Sequence, residues 1–152
     1  VPEIESKILS LINELRINKI EILGVENICK FNNQIIKIKD ESIFGEEFLS
    51  SKILLSLVKN SDEAINMINK YSGGHSASII TTSDQTAEKF QNQIDCAAVY
   101  HNASTRFTDG GEFGFGAEIA ISTQKLHFRG PLGINQLVTN KWFIHGNGQI
   151  RN

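Results

Sequence analysis

The chain has 152 residues, of which 40% are hydrophobic and 21% are charged, and its formal net charge is -2. This size and balance suit one globular domain with a sizeable core. The slightly acidic charge argues against a broad nucleic-acid or anionic-membrane surface. No apolar run approaches the roughly 20 residues that span a bilayer, so we expect neither nucleic acid nor membrane as a partner.

Cysteine usage and the first residues indicate a cellular compartment. Cys29 and Cys96 are the only cysteines, and they lie far apart in the sequence. A secreted disulfide scaffold would be richer in cysteine. The chain opens on Val1, without methionine and without the charged and apolar regions of a signal peptide. We therefore expect a cytoplasmic protein, of which this chain is either a fragment or a segment prepared for expression.

The first 47 residues predict one helix, two short strands and a loop. Apolar residues recur at helical spacing and form one stripe; they are Ile4, Ile8, Leu11, Ile12 and Leu15. Residues 20–23 and 35–38 are short apolar runs typical of strands. A loop is expected at 40–47.

From residue 52 the pattern alternates regularly between strands and helices. Strands are predicted at 53–58, 78–81 and 96–101. Ser61 is expected to cap one intervening helix and Ser83 to begin the other. The inner faces of these helices are predicted to carry Ile65, Ile68, Ala87, Phe90 and Ile94. This alternation indicates an α/β fold with a mostly parallel sheet flanked by helices.

The sequence after the third of these strands is different in character. Residues 102–116 are polar and rich in glycine, and ligands in parallel sheets gather beyond the carboxyl ends of strands. We therefore expect this loop to lie at the functional edge. Val138, together with residues 142–144, predicts a last strand that pairs outside this sheet.

Within this loop, glycines and an arginine are the candidates for ligand binding. Gly110, Gly111, Gly114 and Gly116 match neither a phosphate-binding nor a dinucleotide-binding fingerprint, which favours tight turns for each glycine. Arg106 is surrounded by hydroxyl side chains, and its planar fork suits a phosphate or a carboxylate. The alternative is an ordinary surface arginine.

Other titratable residues give weaker signals. The four histidines lack metal-ligand spacing, so no metal site is expected. His75, beside Gly74, is the histidine for which a purely structural role is least convincing. Cys29 has no histidine nearby in sequence to act as a base, and Cys96 opens an apolar strand and is expected to be buried and inert, so neither is expected to be a nucleophile. On spacing alone Glu46 and Glu47 are not a carboxylate pair, because neighbours in an extended strand point to opposite faces.

Three motifs together resemble a known enzyme family. They are 68–76 (Ile-Asn-Lys-Tyr-Ser-Gly-Gly-His-Ser), 95–100 (Asp-Cys-Ala-Ala-Val-Tyr) and the long run 102–131, which contains Ser-Thr-Arg-Phe-Thr-Asp-Gly-Gly. The ending 146–151 (Gly-Asn-Gly-Gln-Ile-Arg) matches as well. The chain closely resembles gamma-glutamyl phosphate reductases of the aldehyde dehydrogenase superfamily, from about Glu47 to its end.

The resemblance implies the C-terminal part of an NADPH-dependent reductase that converts L-glutamyl 5-phosphate to L-glutamate 5-semialdehyde in proline biosynthesis. In this family a cysteine thiolate attacks the acyl phosphate, and NADPH supplies the hydride. The family's cysteine motif precedes the region resembled here. The resemblance therefore implies no catalytic residue in this chain, a nucleophile upstream of Val1, and an inactive fragment that binds no cofactor alone.

Several residues acquire supporting roles through this resemblance. Glu47 resembles the glutamate that binds the nicotinamide ribose of NADPH. Substrate-binding candidates lie in the loop at Asn102, Ser104, Arg106 and Thr108. We expect Glu47 and the segment around Arg106 to converge on one rim of the sheet.

The resemblance also divides the chain. Residues 1–132 correspond to part of the catalytic domain, without its nucleophilic segment. Residues 133–152 correspond to a C-terminal oligomerisation tail. The intact protein is therefore expected to be a homo-oligomer, and its substrate is expected to be a small molecule. Two alternatives stay open, namely another member of the aldehyde dehydrogenase superfamily and a non-enzymatic α/β interaction module.

Overall fold

A computed structural model describes residues 2–125 and 127–151. The segments predicted above include three residues that lie outside the described ones, namely Val1, Leu126 and Asn152. The chain begins with helix α1 (Pro2–Ile17), as the apolar stripe predicts. Ile12 is fully buried and Ile8 and Leu15 pack beside it, but the stripe is narrower than expected because Ile4 and Leu11 stay exposed.

Helix α1 covers a small parallel sheet. Its strands are β1 (Glu21–Gly24), β2 (Ile36–Lys37) and β3 (Lys52–Leu55), in the order β2-β1-β3. Helix α2 (Glu26–Cys29) connects β1 to β2, and a 3-10 helix (Glu41–Gly45) lies within the predicted loop before β3. The first core consists of Ile12, Ile22, Ile28 and Ile35.

A second parallel pair follows and has its own core. Helix α3 (Ser61–Tyr71) leads to β4 (Ser76–Ile79), and α4 (Asp84–Gln93) leads to β5 (Ala98–His101). In the register of this pair, Ser76 lies opposite Ala98 and Ile79 opposite His101. The buried residues are Ile65, Ala77, Phe90 and Ile94. The inner faces predicted for both helices are therefore confirmed.

The helix caps show how local sequence sets these boundaries. Ser83 caps α4, because its Oγ accepts a hydrogen bond from the Thr86 amide at 3.2 Å. Ser61 was expected to cap α3 but is its first residue instead. The cap is Asn60, whose Oδ1 accepts from the Glu63 amide at 3.0 Å.

The strands do not form one continuous sheet among the described residues. β3 pairs with β1, whereas β4 pairs with β5. All these pairs are parallel, so the predicted α/β class with parallel strands flanked by helices is confirmed. The alternation of strands and helices specifies strand direction, but it does not specify which strands are neighbours.

The C-terminal third contains a pair of strands that was not predicted. Strands β6 (Ile119–Ile121) and β7 (Gly130–Leu132) form an antiparallel pair that the sequence did not indicate. The described residues around Trp142 form no strand, the Trp142 side chain is 83% exposed, and a strand that pairs outside this sheet stays a prediction. A strand needs a neighbouring backbone to pair with, and the described chain offers none there. Among the described residues, no helix combines the length and apolar character needed to cross a bilayer.

Candidate functional site

A cavity of about 550 Å³ lies where α3 ends and β4 begins. Its walls come from the segment before β3, from the turn between α3 and β4, and from the residues just after β6. Hydroxyl and carboxylate side chains dominate the lining, with one imidazole. The lining residues are Phe44, Gly45, Glu46, Glu47, Tyr71, Ser72, Gly73, His75, Ser76, Ser122 and Thr123.

Aromatic packing brings Glu47 to this cavity. Phe44 stacks on Tyr71 with ring centroids 5.3 Å apart. The Tyr71 hydroxyl also donates a hydrogen bond to the Glu41 carboxylate at 3.2 Å. These two contacts fasten the 3-10 helix to the end of α3. Glu47, two residues after that helix, is thereby placed at the cavity with its carboxylate exposed.

His75 is the cavity residue with an ionisable ring. Its Nδ1 lies 2.7 Å from the Ser76 Oγ, and its side chain is exposed. Gly73 and Gly74 precede it with φ of +67° and +74°, a backbone conformation that glycine adopts without strain. The two glycines therefore make the tight turn that carries His75 to the cavity wall. The sequence alone did not assign a role to His75. The Gly-Gly-His run was the feature that could have indicated a turn at a functional site.

An arginine and an aspartate support this turn from behind. The Arg129 Nη1 donates to the Asp95 carboxylate at 2.8 Å, and its Nη2 donates to the Gly74 carbonyl at 3.0 Å. Lys125 donates to the same carboxylate. Hydrogen bonds from Lys125 and from Arg129 hold the pKa of the Asp95 carboxyl below its usual value.

Of the four substrate-binding candidates, two are already engaged in holding the fold. The Asn102 amide bridges to the backbone of Thr81, accepting from its N–H and donating to its C=O, both at 2.9 Å. Thr108 accepts a hydrogen bond from the Tyr100 hydroxyl. These contacts join the ends of β4 and β5 and fix the start of the loop.

The other two candidates are more available. The Ser104 Oγ accepts from the Arg106 amide at 3.2 Å, which shapes a turn around the arginine. The Arg106 side chain is exposed, and its guanidinium contacts no partner within the described residues. Its five donors are therefore free for an anionic ligand.

Glu47 lines the cavity and Arg106 does not, so their convergence on one rim stays a prediction. Glu47 lines the cavity at the amino end of β4, whereas the segment with Arg106 leaves the carboxyl end of β5. β4 and β5 have four residues each, so their two ends are about 10 Å apart. Arg106 does not line the cavity; Ser122 and Thr123 do, beyond the glycine-rich loop. The spacing of the sequence could not show which part of that loop returns to the cavity.

The glycines of the loop serve its turns, as their spacing predicted. A Cβ on Gly110 would lie 2.4 Å from the Ala117 carbonyl oxygen, so no side chain fits there. The Gly110 amide donates to the Glu118 carboxylate at 3.0 Å, and the Gly111 amide donates to the Asp109 carboxylate at 2.8 Å. These amides are therefore occupied within the loop itself.

The cysteines show no paired base. Both are free and half-buried, so Cys96 is less buried than predicted. The Cys96 Sγ lies 3.5 Å from the Ser72 Oγ, and the Cys29 Sγ lies 3.6 Å from the Gly24 carbonyl. Within residues 2–125 and 127–151 no histidine contacts either thiol, and no group of three His, Cys, Asp or Glu is placed to hold a metal ion.

Comparison with known proteins identifies the family. The family model described as aldehyde dehydrogenase family matches residues 36–118. The chain is 53% identical over 141 residues to the gamma-glutamyl phosphate reductase of Clostridium botulinum (strain Alaska E43 / Type E3), a match that covers 93% of the chain and 34% of that relative. It is 52% identical over 149 residues to the gamma-glutamyl phosphate reductase of Petrotoga mobilis, covering 98% of the chain and 36% of that relative.

A solved structure agrees with these relatives. The crystal structure of gamma-glutamyl phosphate reductase from Thermotoga maritima matches with a TM-score of 0.84 at 45% identity, over 97% of this chain and 36% of that one. The chain thus has the fold of a segment of that protein, and it spans about a third of the length of the curated relatives it matches. Since the family model also matches more than half of its residues, the chain belongs to the aldehyde dehydrogenase family.

Proposed function

We propose that this chain is the C-terminal portion of an NADPH-dependent reductase that converts L-glutamyl 5-phosphate to L-glutamate 5-semialdehyde and releases phosphate, as in proline biosynthesis. The observation that carries the proposal is the cavity that holds Glu47 beside the Gly-Gly-His turn. The identity of about half of all aligned positions with gamma-glutamyl phosphate reductases supports the same reaction.

Glu47 binds the ribose next to the nicotinamide in this proposal. An exposed carboxylate accepts hydrogen bonds from both hydroxyls of a diol, and such charge-assisted bonds are stronger than neutral ones. The neighbouring Ser76 and Ser122 add hydroxyl partners. When bound, the nicotinamide cofactor supplies the hydride. This chain contributes the orientation of that cofactor.

Arg106 and Ser104 act at the substrate end. The free guanidinium offers a planar fork to the phosphate or the carboxylate of the substrate. Asn102 and Thr108 hold the loop in place through their bonds to the strand ends, which is a supporting role. In this proposal Glu47 binds the ribose, and Arg106, which does not line the same cavity, binds the substrate anion.

The remaining machinery belongs, in this proposal, to the part of the protein that the relatives contain and this chain does not span. Cys29 and Cys96 have no base beside them, so neither serves as the nucleophile. We propose that residues 1–132 form part of the catalytic domain, that the nucleophilic cysteine precedes them, and that the chain alone is inactive and binds no cofactor. Two free cysteines fit a reducing cytoplasm.

Residues 133–152 form an oligomerisation tail in this proposal. The side chains of Trp142 and Ile144 are 83% and 89% exposed. Neighbouring exposed apolar side chains are typical of surfaces that bind another protein. A second copy of the protein would cover them and pair with the segment as a strand. Replacing both residues with serine is expected to shift the complete protein to a smaller species in sedimentation. An unchanged sedimentation coefficient would refute the assignment.

The experiment that tests the reductase proposal compares two proteins, the 152-residue chain and the complete protein that contains it. We expect the complete protein to oxidise glutamate 5-semialdehyde with NADP+ and phosphate, and the chain alone to show no turnover. Turnover by the chain alone would show that the nucleophile is present in it. Failure of the complete protein to act on the semialdehyde would refute the substrate.

A further inference from the structure

Arg129 connects three points of the fold that surround the Gly-Gly-His turn. Its Nη2 donates to the Gly74 carbonyl at 3.0 Å and to the Asp95 carbonyl at 2.6 Å. Its Nη1 donates to the Asp95 carboxylate at 2.8 Å. One guanidinium therefore binds both the turn before β4 and the turn before β5. The arginine that carries it is the residue immediately before β7.

The carbonyl of Gly74 is the critical contact. This oxygen belongs to the planar peptide unit that also contains the His75 amide nitrogen. Because the unit is planar, holding the oxygen in place also sets the orientation of the backbone at His75. The Ala97 amide donates to the same oxygen at 2.8 Å. With two donors on one carbonyl, the peptide plane cannot turn without losing both bonds.

The burial of Arg129 points beyond an ordinary ion pair. Its side chain is only 20% exposed, and its Nε is buried with no hydrogen-bond partner among the described residues. A buried donor without a partner costs free energy, and the hydrogen bonds from Nη1 and Nη2 offset that cost. Gly74 leaves room for the guanidinium, since a Cβ there would lie 3.2 Å from Nη2.

We infer that Arg129 is a positioning residue for the cavity: its guanidinium fixes the peptide unit between Gly74 and His75 and so aims the His75 imidazole and the Ser76 hydroxyl at the cavity. The kinetic consequence of this inference rests on the proposed function. The structural consequence does not, because the direction of His75 can be measured without any reaction.

Lys125 provides a matched control. Its ammonium binds the same Asp95 carboxylate as Arg129, but within the part of the chain that the structure describes it donates to no backbone carbonyl of the turn. If Arg129 acts only through the charge of Asp95, Lys125→Met should reproduce the effect of Arg129→Met. If Arg129 acts through Gly74, the two substitutions should differ. Arg129→Lys keeps the charge and removes the planar fork.

The experiment records the NMR signals of the His75 amide and imidazole in the full chain, together with kinetics in the complete protein. We expect Arg129→Lys and Arg129→Met to shift the His75 signals, and Lys125→Met to leave them in place. In the complete protein, Arg129→Lys should lower kcat/KM about 10- to 100-fold, as expected when a reactive geometry is displaced.

Two outcomes would overturn the inference. One is that Arg129→Lys lowers Tm but leaves both the His75 signals and kcat/KM as in the wild type, which would make Arg129 merely structural. The other is that Lys125→Met reproduces the shifts, which would assign the effect to Asp95. If the unsubstituted complete protein shows no reductase activity, the proposed function fails, and the His75 signals still decide this inference.

Discussion

The ring of Phe44 stacks on the ring of Tyr71 at a centroid distance of 5.3 Å, and this contact joins the segment before β3 to the end of α3. Glu47 lies three residues beyond Phe44 and lines the cavity with Tyr71. The position of the Glu47 carboxylate therefore depends on a contact between two aromatic side chains and not on the backbone hydrogen bonds of a sheet or a helix. Loss of that contact should affect both stability and the cavity.

Phe44→Ala is expected to lower the free energy of unfolding by about 1–2 kcal/mol, through the lost stacking and buried area. It should also raise the KM for NADPH in the complete protein, because the Glu47 segment loses its anchor. Tyr71→Phe is the control, since it keeps the stack and removes only the bond to Glu41. Chemical denaturation and steady-state kinetics measure the two effects. Equal effects of both variants on KM would contradict the role given to the stack.

Glu47→Gln should raise the KM for NADPH about 10- to 100-fold, which corresponds to losing a charged hydrogen-bond acceptor. The KM for the substrate should change little. Glu46→Gln is the matched control, because Glu46 also lines the cavity and is equally charged. If Glu46→Gln weakens NADPH binding and Glu47→Gln does not, the ribose contact has been assigned to the wrong residue.

Arg106→Ala should reduce kcat/KM for the substrate about 10- to 100-fold, because a charged donor to the substrate anion is lost. The KM for NADPH should stay close to the wild-type value, since Arg106 does not line the Glu47 cavity. Arg16→Ala, on helix α1, controls for the loss of one positive charge. A fall in NADPH affinity with unchanged substrate kinetics would show that Arg106 does not bind the substrate.

Asp95 should contribute to stability in a pH-dependent way. Its folded-state pKa lies below the usual 3.8, because Lys125 and then Arg129 donate to the carboxylate. A carboxyl with a lowered folded pKa stabilises the protein above its unfolded pKa and loses that contribution as the pH falls through the folded value. Stability curves of the wild type and of Asp95→Asn should therefore differ at neutral pH and converge at pH values below 3.8. A difference that stays constant down to the lowest pH would contradict the ion-pair account.

Local sequence patterns were enough to predict some elements but not others. Ser83, Ala87 and Phe90 follow one another at helical spacing after a cap, so α4 could be predicted with its buried face. The contact between Arg129 and Gly74 joins residues 55 positions apart, and no local pattern encodes such a pair. The strand predicted around Trp142 rests on its apolar neighbours, and it stays a prediction because a strand also needs a partner backbone.

The candidate site, too, was predictable from the sequence only in part. The resemblance implies ligand-binding roles for Glu47 and Arg106, and Glu47 lines the cavity. Which of the two lines the cavity was not predictable, because it depends on the ends of β4 and β5 that the two segments adjoin. Ser122 and Thr123 were missed for a similar reason, since they reach the cavity only through the return of the chain after β6.

Phosphate dependence of aldehyde oxidation is the measurement that tests the proposed reaction most directly. The complete protein is supplied with glutamate 5-semialdehyde and NADP+, and NADPH formation is followed as phosphate is varied. The account predicts that the rate depends on phosphate and rises to saturation, because phosphate is the acceptor of the oxidised acyl group. NADPH formation at full rate without phosphate would instead indicate water as the acceptor and an aldehyde dehydrogenase of a different specificity.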